Sequence, residues 1–97
     1  MILEKAVLHV KPELAGNFEI SFKEASQYIA SIKGYVRHEL HHCIEYENQY
    51  LLLVHWETLE DHTIGFRQSE AYIEWKRLLH HYYDPFPVVE HYKRVLI

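Results

Sequence analysis

The sequence predicts an α+β domain in which four antiparallel strands carry two helices on one face. Three observations lead there. Apolar residues alternate or crowd together in four strand-length stretches, they recur at steps of three and four in two others, and glycine or proline marks several of the boundaries. The 97 residues make one domain, 1–97, with no internal linker and no sequence repeat.

Ile2 to Val10 reads as the first strand, with Leu3, Val7 and His9 on one parity and Ile2, Ala6, Leu8 and Val10 on the other. Both faces are mainly apolar. Lys11-Pro12-Glu13 opens a helix, because proline is tolerated in a first turn and an acid there complements the helix dipole. Leu14, Phe18, Phe22, Ala25, Ile29 and Ile32 then form its inner stripe, and Gly34 closes it. Tyr35 to Glu47 and Gln49 to Glu57 read as a β-hairpin turning at Glu47-Asn48. The second arm, Tyr50-Leu51-Leu52-Leu53-Val54 with Trp56, has almost no polar parity, so it is expected to be central and covered on both faces.

Thr58 with Asp61 forms a capping-box pattern, after which Leu59, His62, Thr63 and Phe66 share one side of a short helix that Gly65 weakens. Ser69-Glu70 caps a second segment with Ala71, Tyr72, Trp75, Leu78, Leu79 and Tyr82 inward, leaving Glu74, Lys76, Arg77 and His80 toward water. Asp84-Pro85-Phe86-Pro87 ends it, and Val88 to Ile97 is the last strand. The order is the ferredoxin-like βαββαβ plan. Right-handed crossovers place both helices on one face of the sheet, so the apolar residues of the other face require a cover. The simplest cover is the same face of a second subunit, which predicts a homodimer with face-to-face sheets.

A formal charge of −4, with lysine and arginine scattered, gives no basic footprint for nucleic acid or an anionic membrane surface. No apolar run approaches the roughly 20 residues of a membrane span. The single Cys43 excludes an intrachain disulfide, and Met-Ile-Leu-Glu-Lys does not read as a secretion signal, so the expectation is a cytoplasmic protein. Gly16, Gly34 and Gly65 stand isolated and form no phosphate-cradling loop, which argues against a nucleotide cofactor.

His38-Glu39-Leu40-His41-His42 has the letters of a zinc-protease helix, but it falls in a predicted strand. Positions four apart on a strand are about 13 Å apart, against about 6 Å on a helix, too far for one zinc. His80-His81 with His91 offers the letters of a second cluster, but adjacent helical residues diverge by about 100°. No metal site is expected. His62 is the sharper candidate: the face it shares with Leu59 and Phe66 turns toward the sheet, which suits a general base, and equally a core histidine satisfied by a carbonyl or carboxylate. Trp56, Phe66, Tyr72 and Trp75 are read either as an aromatic clamp around a ligand or as plain core. His38 and Tyr83 are further polar candidates.

Ile2-Leu3-Glu4 with the Lys11-Pro12 helix start, Gly34-Tyr35, Leu52-Leu53-Val54-His55-Trp56-Glu57 and Ser69-Glu70-Ala71-Tyr72 together resemble the antibiotic biosynthesis monooxygenase domain family. The resemblance covers nearly the whole chain. It implies a dimeric α+β barrel and oxygen chemistry on quinols or phenols, with no cofactor: no metal, flavin or haem. A deprotonated substrate of that kind is itself a reductant for oxygen, so the protein supplies a base, orientation and a dry pocket. The haem-degrading branch is not matched, since Phe66 and Lys76 stand where that branch has tryptophan and histidine, and the first strand lacks its asparagine. The leading expectation is a cofactor-independent monooxygenase for a small phenolic or quinol substrate with His62 as base. The alternatives are a non-catalytic small-molecule-binding or stress-response dimer and an isomerase on the same scaffold.

Overall fold

The computed structural model describes residues 1–97. Strand β1 spans Ile2–His9, helix α1 Ala15–Ala30, β2 Tyr35–His42, β3 Gln49–Trp56, α2 Glu70–Leu79 and β4 Val89–Lys93. All pairings are antiparallel, in the order β2-β3-β1-β4. The strand through Leu51-Leu52-Leu53, expected to be central, is so, and β1, also apolar on both faces, lies beside it. Alternate residues of that pair, Ala6 and Leu8 with Tyr50, Leu52, Val54 and Trp56, are buried against the helices. Phe18, Phe22, Ala25 and Ile29 of α1 and Trp75 and Leu79 of α2 complete this core. No helix is long and apolar enough to cross a membrane.

The expected element order is present, with several boundaries corrected. Strand β2 stops at His42, because pairing with β3 ends at His42 opposite Tyr50, and residues 43–48 are spent on the connection. Strand β4 is shorter than the expected Val88–Ile97. Its register with β1 runs out where Lys93 faces Ile2, so nothing remains to pair with the last four residues. Before α1, Pro12–Leu14 forms a separate 3-10 turn.

The broken helix is a π-helical turn at Asp61–Phe66 followed by α2. Its entry is a reciprocal capping box: Asp61 N–H donates to Thr58 Oγ1 at 3.1 Å and Thr58 N–H to Asp61 Oδ2 at 3.2 Å. Ser69 Oγ accepts the Tyr72 N–H at 3.1 Å and caps α2. Gly34 is positioned against the same entry. Its φ is +89°, and a Cβ there would lie 2.0 Å from Asp61 Oδ2. Only glycine joins α1 to β2 while leaving room for the capping aspartate.

The face of the sheet away from the helices carries Leu3, Val7, Leu51 and Leu53, all half-buried. Two ion pairs lie on the same face beside this strip: Lys5 Nζ with Glu90 Oε1 at 3.7 Å and His55 Nε2 with Glu39 Oε2 at 3.7 Å.

Gly34→Ala is expected to lower stability by about 2 kcal/mol or more, from backbone strain added to displacement of Asp61. Urea denaturation of both proteins checks this; an unchanged midpoint would show that the cap tolerates a methyl group.

Candidate active site

A cavity of about 380 Å³ lies between the sheet and α2. Its floor is Glu4, Ala6 and Leu8 of β1 with Leu52 of β3. Its walls are His62 and Phe66 of the π-helical turn and Tyr72 and Trp75 of α2. His80, Tyr83, Phe86 and Pro87 close one end, and Arg67 also lines it while remaining exposed on the surface. The lining is mostly apolar and aromatic with a few convergent polar groups, the usual composition of a small-molecule site.

Glu4 is the floor's only charged side chain, and it is 5% exposed. It is there because β1 alternates: Glu4 shares the inward parity with Ala6, Leu8 and Val10. The indole N–H of Trp56 donates to Glu4 Oε1 at 2.9 Å, and His62 Nε2 stands 3.4 Å from the same oxygen. His62 stacks on Trp56, with ring centroids 5.3 Å apart and planes within 18°. Its other nitrogen, Nδ1, is hydrogen-bonded to His91 Nε2 at 2.7 Å. Glu4, His62 and His91 thus stand in a row leading from the cavity floor toward edge strand β4.

Burial sets the protonation states. Desolvation raises the Glu4 carboxyl from 4.5 to about 7, against smaller lowering effects of the Trp56 hydrogen bond and the Arg67 charge. Desolvation pushes His62 down to about 3, helped by the Arg67 charge and, less, by His91. Near neutral pH the histidine is therefore an uncharged imidazole, and the carboxyl is the group poised to exchange a proton. His91 is lowered by desolvation and then by Arg67, and Tyr83 is raised by burial alone.

Of the residues singled out in the sequence, His62, Phe66, Tyr72, Trp75 and Tyr83 meet at this cavity. Trp56 does not line it. Fully buried behind His62, it holds Glu4 instead of meeting a ligand. His38 is also elsewhere, bonded through Nδ1 to the Tyr35 hydroxyl and packed edge-on against Phe22, 5.9 Å away. His80 was expected toward water but is half-buried in the cavity's end, 4.8 Å from the Phe86 ring. The helix tightens to a 3-10 turn at His80–Tyr82, which advances the side-chain phase there. Glu4 and Arg67 were not singled out for a role, and His91 was weighed only as a metal ligand beside His80 and His81. Glu4 had a legible signal, an acid on the otherwise apolar inward parity of a central strand. No three histidine, cysteine, aspartate or glutamate side chains are placed to share a metal ion.

The sequence model of a family described as antibiotic biosynthesis monooxygenase matches residues 1–78. The uncharacterized protein YczJ of Bacillus subtilis (strain 168) is 54% identical over 95 residues, covering 98% of this chain and all of YczJ. A crystal structure from Bordetella bronchiseptica, assigned by name to the same family, superposes with a TM-score of 0.91. It is 34% identical over 98% of this chain and 97% of its own. SnoaB, a cofactor-independent oxygenase from Streptomyces nogalater, shares the fold with a TM-score of 0.72, at 18% identity over 93% of this chain and 86% of its own.

The protonation assignment has a thermodynamic consequence. A carboxyl whose folded pKa is raised from 4.5 to about 7 binds more protons folded than unfolded across that window, so its contribution to stability falls as pH rises through it. Glu4→Gln keeps an acceptor for Trp56 and removes the titration. The variant is expected to gain about 3 kcal/mol relative to wild type between about pH 4.5 and above pH 7. Denaturation curves of both proteins at the two pH values measure this, and a pH-independent difference would refute the raised pKa.

Proposed function

Given that the chain belongs to the antibiotic biosynthesis monooxygenase family, we propose that it oxidises a small phenolic or quinol substrate with dioxygen, using no metal, flavin or haem. The observation that carries this reading is the buried Glu4–His62 pair in the floor and wall of an aromatic cavity. Glu4, titrating near 7, takes the proton from the activated C–H or O–H of the substrate. His62 stays neutral and acts as the partner of that carboxylate. On this reading the base predicted from the sequence is a pair, with the carboxylate as its proton acceptor.

The remaining chemistry belongs to the substrate. Its electron-rich anion reduces dioxygen and forms a carbon–oxygen bond, giving a peroxide that takes back one proton. At a ring methylene the peroxide then loses water to leave a carbonyl: CH2 and O2 become C=O and H2O, four electrons passing from carbon to oxygen. Phe66, Tyr72 and Trp75 are suited to stack a flat ring and to keep water from the anion. Arg67 at the cavity lining supplies a positive charge toward the anion that develops.

The half-buried strip of Leu3, Val7, Leu51 and Leu53 supports a face-to-face homodimer as the working form. Sedimentation at micromolar concentration is expected to give a single species of twice the 11.8 kDa chain mass; a monomer would refute the dimer.

Oxygen uptake with a panel of quinols and phenols, in the presence of a chelator, tests the activity. Uptake is expected to rise with pH through a midpoint near 7, and Glu4→Gln to reduce kcat by about 100-fold or more. Tight binding of the panel without uptake would instead identify a binding protein, and turnover under anaerobic conditions an isomerase. Either result overturns the monooxygenase reading.

A further inference from the structure

The cavity raises a problem of proton traffic. Glu4 is buried in its floor, so a substrate filling the space above also covers the carboxyl. A base sealed beneath its substrate equilibrates with solvent only if a second route leads to it.

The geometry points to that route: Glu4, His62 and His91 form a proton relay from the cavity floor to the edge of the sheet, independent of the cavity mouth. The inference rests on the proposed role of Glu4 as base. His62 presents its two nitrogens in opposite directions, Nε2 at 3.4 Å from Glu4 Oε1 and Nδ1 at 2.7 Å from His91 Nε2. Stacking on Trp56 holds the ring in that orientation. His91 is half-buried on β4, which is an edge strand, so its far side meets solvent without passing through the site. His91 does not line the cavity, and a purely substrate-binding role gives no account of its contact with His62.

Each step conserves protons. In the starting state Glu4 is protonated, with Oε1 3.4 Å from His62 Nε2, and His62 is the Nδ1–H tautomer that donates to His91 Nε2. The Glu4 O–H bond breaks as His62 Nε2–H forms, His62 Nδ1–H breaks as His91 Nε2–H forms, and His91 releases its Nδ1 proton to water. Glu4 is left as the carboxylate and both imidazoles remain neutral in the opposite tautomer. Neutrality matters because desolvation and Arg67 oppose an imidazolium at His62, so the two transfers are coupled. The return of one proton to the peroxide runs the chain backward and restores the starting tautomers.

The groups facing the relay are consistent with this. Glu4 comes from β1, Trp56 from β3, His91 from β4, and Arg67 follows the π-helical turn that carries His62. Arg67 is the one permanent charge acting on all three members, and it disfavours a cation on either histidine. His62 and His91 are thus positioning residues, acting on the substrate through Glu4.

Nitrogen-15 NMR of the imidazole rings tests the relay without turnover, using wild type, Glu4→Gln and His91→Gln. His62 is expected to change tautomer with the Glu4 titration, with a midpoint near 7, and His91 to shift at that same midpoint. Both responses should vanish in Glu4→Gln. A His62 tautomer constant across that range, or a His91 titration unchanged in Glu4→Gln, overturns the relay even if the protein proves to be an oxygenase. Conversely, the coupled titration stands even if no quinol is oxidised, so the two claims fail separately. Where turnover is found, His91→Gln should lower kcat about 10-fold or more with KM unchanged, and added imidazole should restore it. A loss that imidazole does not rescue marks a structural role and counts against the relay.

Discussion

One carboxyl on the wrong-looking side of a strand organises this protein. Glu4 occupies an inward position of a central strand, where alternation places apolar side chains, and an acid there is tolerated only if it is neutral or satisfied. Both conditions are met in part. Trp56 donates to it across the neighbouring strand, and burial keeps its proton on to near pH 7. The stack of His62 on Trp56 then fixes the imidazole beside the same oxygen. Removing Trp56 would therefore disturb the site without removing any part of its lining.

The π-helical turn serves this arrangement. A wider turn at Asp61–Phe66 carries His62 and Phe66 to the cavity within one turn, and α2 then starts afresh at its Ser69 cap. Its entry depends on Gly34, which leaves space for Asp61 in the capping box. A glycine at the end of α1 is thus linked, through a capping aspartate, to the placement of a histidine in the cavity wall.

Periodicity made the architecture legible. Six elements, their order and the central position of the strand through Leu51-Leu52-Leu53 followed from apolar spacing, because burial on one or two faces leaves its mark residue by residue. Strand ends were less legible, since they depend on where a partner strand stops: β4 ends because β1 begins at Ile2. His62, Phe66, Tyr72, Trp75 and Tyr83 were found at the cavity by helical phase or by the punctuation around them. Trp56 and His38 were displaced because face alone does not say which of two neighbouring spaces a large side chain fills. The role of His91, weighed in the sequence only as a metal ligand, could not be read, because it lies in a contact with a residue 29 positions away in the chain. Glu4 was readable as an inward acid; what could not be read was that a tryptophan and a histidine converge on it.

The chemistry and the fold meet in the protonation of that carboxyl. A neutral acid is compatible with a buried place in an aromatic cavity, and a carboxylate that forms there is a stronger base than one in water. The measurement that bears most directly on this is the titration of the Glu4 carboxyl carbon by carbon-13 NMR in the ligand-free protein. The expected result is a midpoint near 7 with His62 remaining uncharged throughout. A midpoint at the ordinary 4.5, or a carboxylate paired with a charged His62 at neutral pH, would contradict it.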